Sequence, residues 1–306
     1  MFNLAAISIP LGPNIIDFGP FILAWHGLFT FVAVATSVYL AVRWGTKEGI
    51  SGDAIYSIAV WSIIGGILGA RVVHVIDFWG LIYQHDPIRL FYVWQGGIAI
   101  YGAILGGFAG GALYVIIRNS DRFLALWGSL SNFLPFFGTP NKAPLPGIGH
   151  MADIVAPALL ISMAIGRIGD IVNGEHFAKA TDLAWGFIYT NSASPGYSRP
   201  ASHPAVAYEL IFDLLLAAAI WPLRNRLRPR GMFFVLYGGL YSMGRFFLSF
   251  LRVEQIPYFE ILNQAQVIAL IVIVVAIPLV VFKAQFVRPS QTQESGLRQG
   301  RQRRAR

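Results

Sequence analysis

Seven apolar stretches, each about as long as the roughly 20 residues needed to cross a bilayer, recur along the chain at residues 21–42, 54–77, 96–117, 151–168, 205–223, 232–251 and 261–282. They leave few folds open. Inside hydrocarbon no water satisfies backbone N–H and C=O groups, so a spanning segment must bond within itself as a helix or close into a barrel. The stretches lack the residue-by-residue alternation of barrel strands. The expected fold class is therefore an all-α polytopic membrane protein with seven transmembrane helices. The residue balance agrees: 56% of the 306 residues are hydrophobic and 12% charged, against about 25% charged in a soluble domain.

Charge placement orients the bundle. Sixteen of the 23 lysines and arginines fall in one alternate set of connections and the C-terminal tail, while Arg89, Lys179, Arg199 and Arg252 fall in the other set and Arg71, Arg167 and Arg245 lie within spans. Cytoplasmic connections collect positive charge, so the expectation is N-out/C-in. The net charge of +8 comes largely from those inner segments and does not point to nucleic acid. Residues 1–288 read as one seven-helix membrane domain. Within it, 169–204 form a small extracytoplasmic cap with a strand near 184–190, and 119–150 a cytoplasmic loop with an interfacial helix near 123–137. Residues 289–306 read as a basic, disordered cytoplasmic tail suited to anionic headgroups. The first 19 residues lack a basic region and a small-residue cleavage site, so the first span is expected to act as an uncleaved anchor.

The chain has no cysteine, which excludes disulfides, thiolate metal sites and a catalytic thiol of its own. Its histidines show no paired ligand spacing, and no metal or cofactor is expected. Chemistry concentrates instead at GRIGDIVNGE (166–175), where an arginine, an aspartate, an asparagine and a glutamate close an apolar run. Ionisable groups at membrane depth are costly and mark function by default. Arg71, Arg167 and Arg245 all fall near the outer ends of their spans. Three such cations repel unless an anion joins them, and a guanidinium fork matches a phosphate bidentately. The plainer alternative pairs each with a nearby acid, Asp77 for Arg71 and Asp170 for Arg167, or lets it snorkel. Glu209, Asp213, Glu175, His176, His26 and Tyr101 are the proton-transfer candidates nearby, while for His74 and His26 simple interhelical hydrogen bonding is the favoured reading.

Glycines add a second pattern. Gly102, Gly106 and Gly110 recur four apart, as Gly65, Gly66 and Gly69 cluster in the preceding span. Small residues at that spacing let helix backbones approach. They also leave open a ligand approach to bare backbone, with Gly96 and Gly97 at the outer mouth.

GRIGDIVNGE resembles the signature of the prolipoprotein diacylglyceryl transferase family, Gly-Arg-x-Gly-Asn-Phe-x-Asn-x-Glu-x-x-Gly. LAWHG (23–27), LGARVVHVI (68–76), WQGGIAIYGAILGG (94–107), SHPAVAYE (202–209) and GRFFLSFLR (244–252) follow the family in order. The resemblance implies transfer of an sn-1,2-diacylglyceryl group from phosphatidylglycerol to the lipobox cysteine in the signal peptide of a prolipoprotein, with release of glycerol phosphate. It implies a multi-pass protein of the bacterial cytoplasmic (inner) membrane whose partners are membrane lipids and prolipoproteins. Carried over, the catalytic set is Arg167, Arg245, Tyr101, Asp170 and Glu175. The phosphatidylglycerol-binding set is Arg167, Arg245, Arg71, Asn173, Gly96, Gly97, Gly102, His26, Glu209 and Arg252. Asp170, Ile171 and Ala178 depart from the signature, and Ser249 stands where the late motif carries glutamate. Asp170 can weaken phosphate binding by pairing with Arg167, or can act as the thiol base. These departures leave open a relative that binds phospholipid or a partner protein without transfer. The buried charges leave open an anionic-solute transporter.

Overall fold

The computed structural model describes residues 6–19, 21–92, 97, 99–134, 144–253, 257–258 and 262–287. Among them the helices are α1 (Trp25–Lys47), α2 (Gly52–Asp77), α3 (Ile100–Arg118), α4 (Asp121–Phe133), α5 (Ile148–Asn173), α6 (Ala205–Ile220), α7 (Met232–Leu248) and α8 (Gln264–Lys283). Short strands flank them: β1 (Ile7–Ile9), β2 (Asn14–Phe18), β3 (Phe21–Ala24), β4 (Phe187–Tyr189), β5 (Leu227–Arg228), β6 (Pro257–Tyr258), β7 (Leu262–Asn263) and β8 (Gln285–Phe286). Six helices, α6 and α7 with their short 3-10 extensions, are long and apolar enough to cross a membrane; α3 and α4, bent by 75° at their junction, make a seventh if taken as one span. The chain is thus a multi-pass, all-α membrane protein. The proposed tail at 289–306 lies outside the described residues.

Two compact units make up the chain, Met1–Leu40 with Ala152–Arg306, and Ala41–Met151. In the second, the glycines of α2 and α3 form the helix–helix contact that their spacing allows. A Cβ built on Gly69 would stand 2.8 Å from Gly106 Cα, and one on Gly110 would stand 3.0 Å from Gly65 Cα. Backbone rests on backbone there. α3 stops at Asn119, whose amide is spent across the loop: Nδ2 donates to Leu145 O at 3.1 Å and Oδ1 accepts from Leu145 N at 2.7 Å. A helix is expected near 123–137; α4 covers 121–133, and residues 135–137 lie outside the described residues.

In the other unit, small residues on α5 bring helices together. Ala156 and Leu160 pack with Leu216, Ala217 and Ile220 of α6 and with Phe233 and Tyr237 of α7, forming a buried core. α7 begins at Gly231, whose φ of 101° suits glycine. Asp153 of α5 accepts hydrogen bonds from Gly231 N at 2.8 Å and Phe234 N at 3.0 Å, which satisfies N–H groups that a helix start leaves open. Asn263 and Gln266 close the start of α8 with a reciprocal capping box.

α5 continues to Asn173, five residues beyond the expected span end at 168. Arg167 therefore sits inside the helix, not beside its end. Within this extension Asp170 is held by His26, from another element. The helix ends at Gly174, whose φ of 71° lies in the left-handed region and where a Cβ would meet the Tyr189 ring at 2.9 Å. Beyond it lies a small cap. The expected strand is β4, and its partner is β1, which pairs parallel to it from Ile7–Phe187 to Ile9–Tyr189. Ala178 bridges to Arg252, tying the cap to the chain after α7.

Candidate active site

The last two turns of α5, the first turn of α1, the start of α6 and the end of α7 bring their polar groups together. Glu209 is the hub. Its Oε2 lies 2.6 Å from Arg167 Nη2 and its Oε1 lies 3.0 Å from Arg252 Nη2. The same Oε1 accepts from Arg245 Nη1. Arg167 also donates from Nη1 to Asp170 Oδ2 at 2.9 Å. Three guanidiniums against two carboxylates leave one excess positive charge, the complement of a phosphodiester. Repulsion among three close cations needs such carboxylates, because in a low-dielectric setting charge–charge energies grow several-fold over water.

Ser249 is not the acid that the arginines pair with. Its hydroxyl turns back to Arg245 O at 2.6 Å, a local helix bond, while Glu209 on the neighbouring helix supplies the negative charge. Exposure separates the arginine roles. The Arg167 and Arg245 side chains each keep 17% of their surface accessible, against 4% for Arg252. The first two keep some side-chain surface open, whereas Arg252 is buried beside Glu209.

Asp170 joins a second arm of the network. His26 at the start of α1 places Nδ1 2.6 Å from Asp170 Oδ1. His176, just past Gly174, has Nε2 3.6 Å from Asp170 Oδ2, and its Nδ1 lies 3.3 Å from Arg252 Nη1. Tyr189 of the cap donates to Ile171 O at 2.9 Å. Burial, and the charge of Asp170 after it, push the Tyr189 phenol up to about 12, so it remains a donor at any physiological pH.

Asn173 is buried one turn beyond Asp170, and Glu175 is exposed at the cap's first residues. Asp213, one turn along α6 from Glu209, is buried with neither carboxyl oxygen hydrogen-bonded among the described residues. Arg71, Gly97 and Gly102 belong to the other unit. Arg71 was expected to contact lipid phosphate. Its guanidinium instead donates to Leu90 O and Gly97 O, each at 3.0 Å, and to Arg89 O, with the Tyr83 ring 5.4 Å from its Cζ. A Cβ on Gly97 would strike this arginine at 2.9 Å. Gly102 lies in the α2–α3 contact. Gly96 and the side chain of Tyr101 fall outside the described residues.

Sequence reasoning named each arginine and Glu209 but missed that one carboxylate serves three guanidiniums. It named His176 as a proton-transfer candidate but not its place between Asp170 and Arg252. Arg167, Arg245 and Arg252 near the ends of two apolar stretches, with Glu209 near the end of a third, were the available signal for the first. Nothing local signalled the second.

The sequence matches a known family. A family model described as prolipoprotein diacylglyceryl transferase matches residues 13–139 and 142–282. A protein of Nostoc sp. named phosphatidylglycerol–prolipoprotein diacylglyceryl transferase is 31% identical over 275 residues, covering 87% of each chain. Proteins of the same name from Synechococcus elongatus and Limosilactobacillus reuteri are 33% identical over 270 residues and 32% over 259. These alignments cover 86% and 82% of this chain, and 84% and 83% of the relatives.

Proposed function

The chain belongs to the prolipoprotein diacylglyceryl transferase family, and from that premise we propose that it moves an sn-1,2-diacylglyceryl group from phosphatidylglycerol to the lipobox cysteine of a prolipoprotein, releasing glycerol phosphate. The observation that carries this reading is the pair of partly accessible arginine side chains, Arg167 and Arg245, joined through Glu209. They receive the phosphodiester of the donor lipid. The bond that breaks joins the diacylglyceryl carbon to a phosphate ester oxygen, so the leaving phosphate gains negative charge as the reaction proceeds. Positioned donors aimed at such growing charge contribute about 2.7–4 kcal/mol each in sites of this kind. The incoming cysteine supplies the nucleophile, consistent with a chain that has none.

Asn173 and Glu175 border the cap through which the acceptor peptide approaches, and Arg252 fixes Glu209 from behind. Lysine and arginine placement supports an N-out orientation with this site at the outer face of a bacterial cytoplasmic membrane. The test is transfer of labelled diacylglycerol from phosphatidylglycerol to a lipobox peptide by the purified protein, with a Cys→Ser peptide as control. Cysteine-dependent transfer with release of glycerol phosphate is expected. Arg167→Ala should lower the rate on the order of 10²–10³-fold, the loss typical of removing one such donor. Wild-type rates in that variant would remove the phosphate clamp. Binding of phosphatidylglycerol without any transfer by the wild type would make the chain a lipid-binding relative, with the Asp170–Arg167 pair as the first suspect.

A further inference from the structure

Resting on the transfer reaction above, we propose that His26 takes the proton from the acceptor thiol and that Asp170 is its positioning residue. The argument begins with Asp170. One of its oxygens accepts from Arg167 Nη1 at 2.9 Å, as an ionised carboxylate does. An ionised carboxylate only accepts hydrogen bonds. His26 Nδ1, 2.6 Å from the other oxygen, must therefore carry the hydrogen. In the neutral ring the lone pair is then on Nε2, since the partner of one nitrogen decides the state of the other.

That lone pair is available. The His26 side chain is 52% exposed and Nε2 has no hydrogen-bond partner among the described residues. His176 shows the contrast. A guanidinium only donates, so Arg252 Nη1 at 3.3 Å makes His176 Nδ1 the acceptor, and the remaining Nε2–H faces Asp170. Both nitrogens of His176 are turned to protein. Glu209 is enclosed by three guanidiniums. Of the groups linked in this network, His26 is the one that presents a basic atom outward. The charged and titratable groups facing its ring are Asp170, Glu175 and His176.

Asp170 also fixes where the base stands. Its two oxygens hold His26 on one side and Arg167 on the other, which places the thiol beside the phosphate clamp. The S–H proton passes to Nε2, and the thiolate forms a C–S bond to the diacylglyceryl carbon as the C–O bond to phosphate breaks. The glycerol phosphate leaves with that electron pair, and His26 returns the proton to a phosphate oxygen. The sum is a thiol and a phosphodiester giving a thioether and a phosphate monoester.

The experiment measures transfer against pH for the full chain in phosphatidylglycerol nanodiscs, with His26→Ala, His26→Gln and Asp170→Asn. His26→Ala should lose on the order of 10²–10⁴-fold in kcat, the usual contribution of a general base, with KM for phosphatidylglycerol within about threefold. The defect should narrow about tenfold per pH unit as pH rises toward the free-thiol pKa near 8.5, because the acceptor then ionises unaided. Added imidazole should restore part of the rate. His26→Gln can still donate to Asp170 but has no base, so it should match His26→Ala. Asp170→Asn should lower kcat while Nε2 remains present. Recovery of activity by glutamine would overturn the proposal, as would a defect equal at pH 6 and pH 9 without imidazole rescue. An inactive wild type would instead overturn the transfer reaction itself, and this assignment with it. An active wild type with an equally active His26→Ala would overturn only the base.

Discussion

Glu209→Gln removes one charge and almost no volume from the centre of the site. The wild-type carboxylate faces Arg167, Arg245 and Arg252 with two oxygens. Glutamine keeps one of those oxygens and replaces the other with an NH₂ group that points donors at a donor. The excess charge of the linked cluster rises from one to two. Removing one partner of a buried ion pair costs about 3–5 kcal/mol, because the remaining charge is left uncompensated. Taking about 2 °C per kcal/mol for a chain longer than 250 residues, Tm should fall by about 6–10 °C. Tryptophan fluorescence during heating, in nanodiscs without anionic lipid, reads this directly. Phosphatidylglycerol should restore more stability to the variant than to the wild type, since a ligand that binds only the folded state stabilises it and the variant has more unbalanced charge to offer. Transfer should fall on the order of 10²-fold as the freed arginines shift by about 1 Å. Arg252→Leu added to Glu209→Gln should recover part of the loss, with a coupling of about 0.5–3 kcal/mol. A Tm within about 2 °C of wild type together with an unchanged transfer rate would refute the hub.

Gly69→Ala should destabilise by about 1–3 kcal/mol, because the added carbon meets the backbone of α3 and no side chain can rotate away. Gly128→Ala in α4 has open space around it and should be neutral or slightly stabilising, so equal melting of the two variants would contradict the α2–α3 contact. Tyr189 sets an alkaline limit. Its folded pKa of about 12 exceeds the unfolded value of 10, so its contribution is complete below pH 10 and is lost as pH rises through 12. Wild type should lose up to about 2.7 kcal/mol more than Tyr189→Phe across that window. Parallel pH–Tm curves for the two would show that the phenol is not held from ionising.

The spans were legible because hydrocarbon imposes one rule on every residue, and local composition suffices to apply it. β4 and α4 followed from equally local patterns. The end of α5 did not. Asp170 looks like a loop residue taken alone, and it lies in a helix where Arg167 and the distant His26 bond to its carboxylate. β1 was invisible for a related reason: three residues near the start pair with three that lie 180 positions later. The sharing of Glu209 by three arginines, and the hydrogen-bond pattern that distinguishes His26 from His176, depend on geometry that residue spacing does not encode. Arg71 marks the opposite case. Its place in a span suggested a ligand, and its donors turn to the carbonyls of residues 89, 90 and 97.

The paired hydrogen bonds between Asn119 and Leu145 act as a clasp on a detour. Whatever the chain does between those residues, it leaves and returns at the same point. The detour can therefore change in length or cargo while α3 still stops at Arg118 and α5 still starts at Ile148. A fluorescent reporter or an affinity handle spliced in after α4 and before Leu145 would leave that clasp in place, on a stretch of chain that supplies no residue to the arginine cluster.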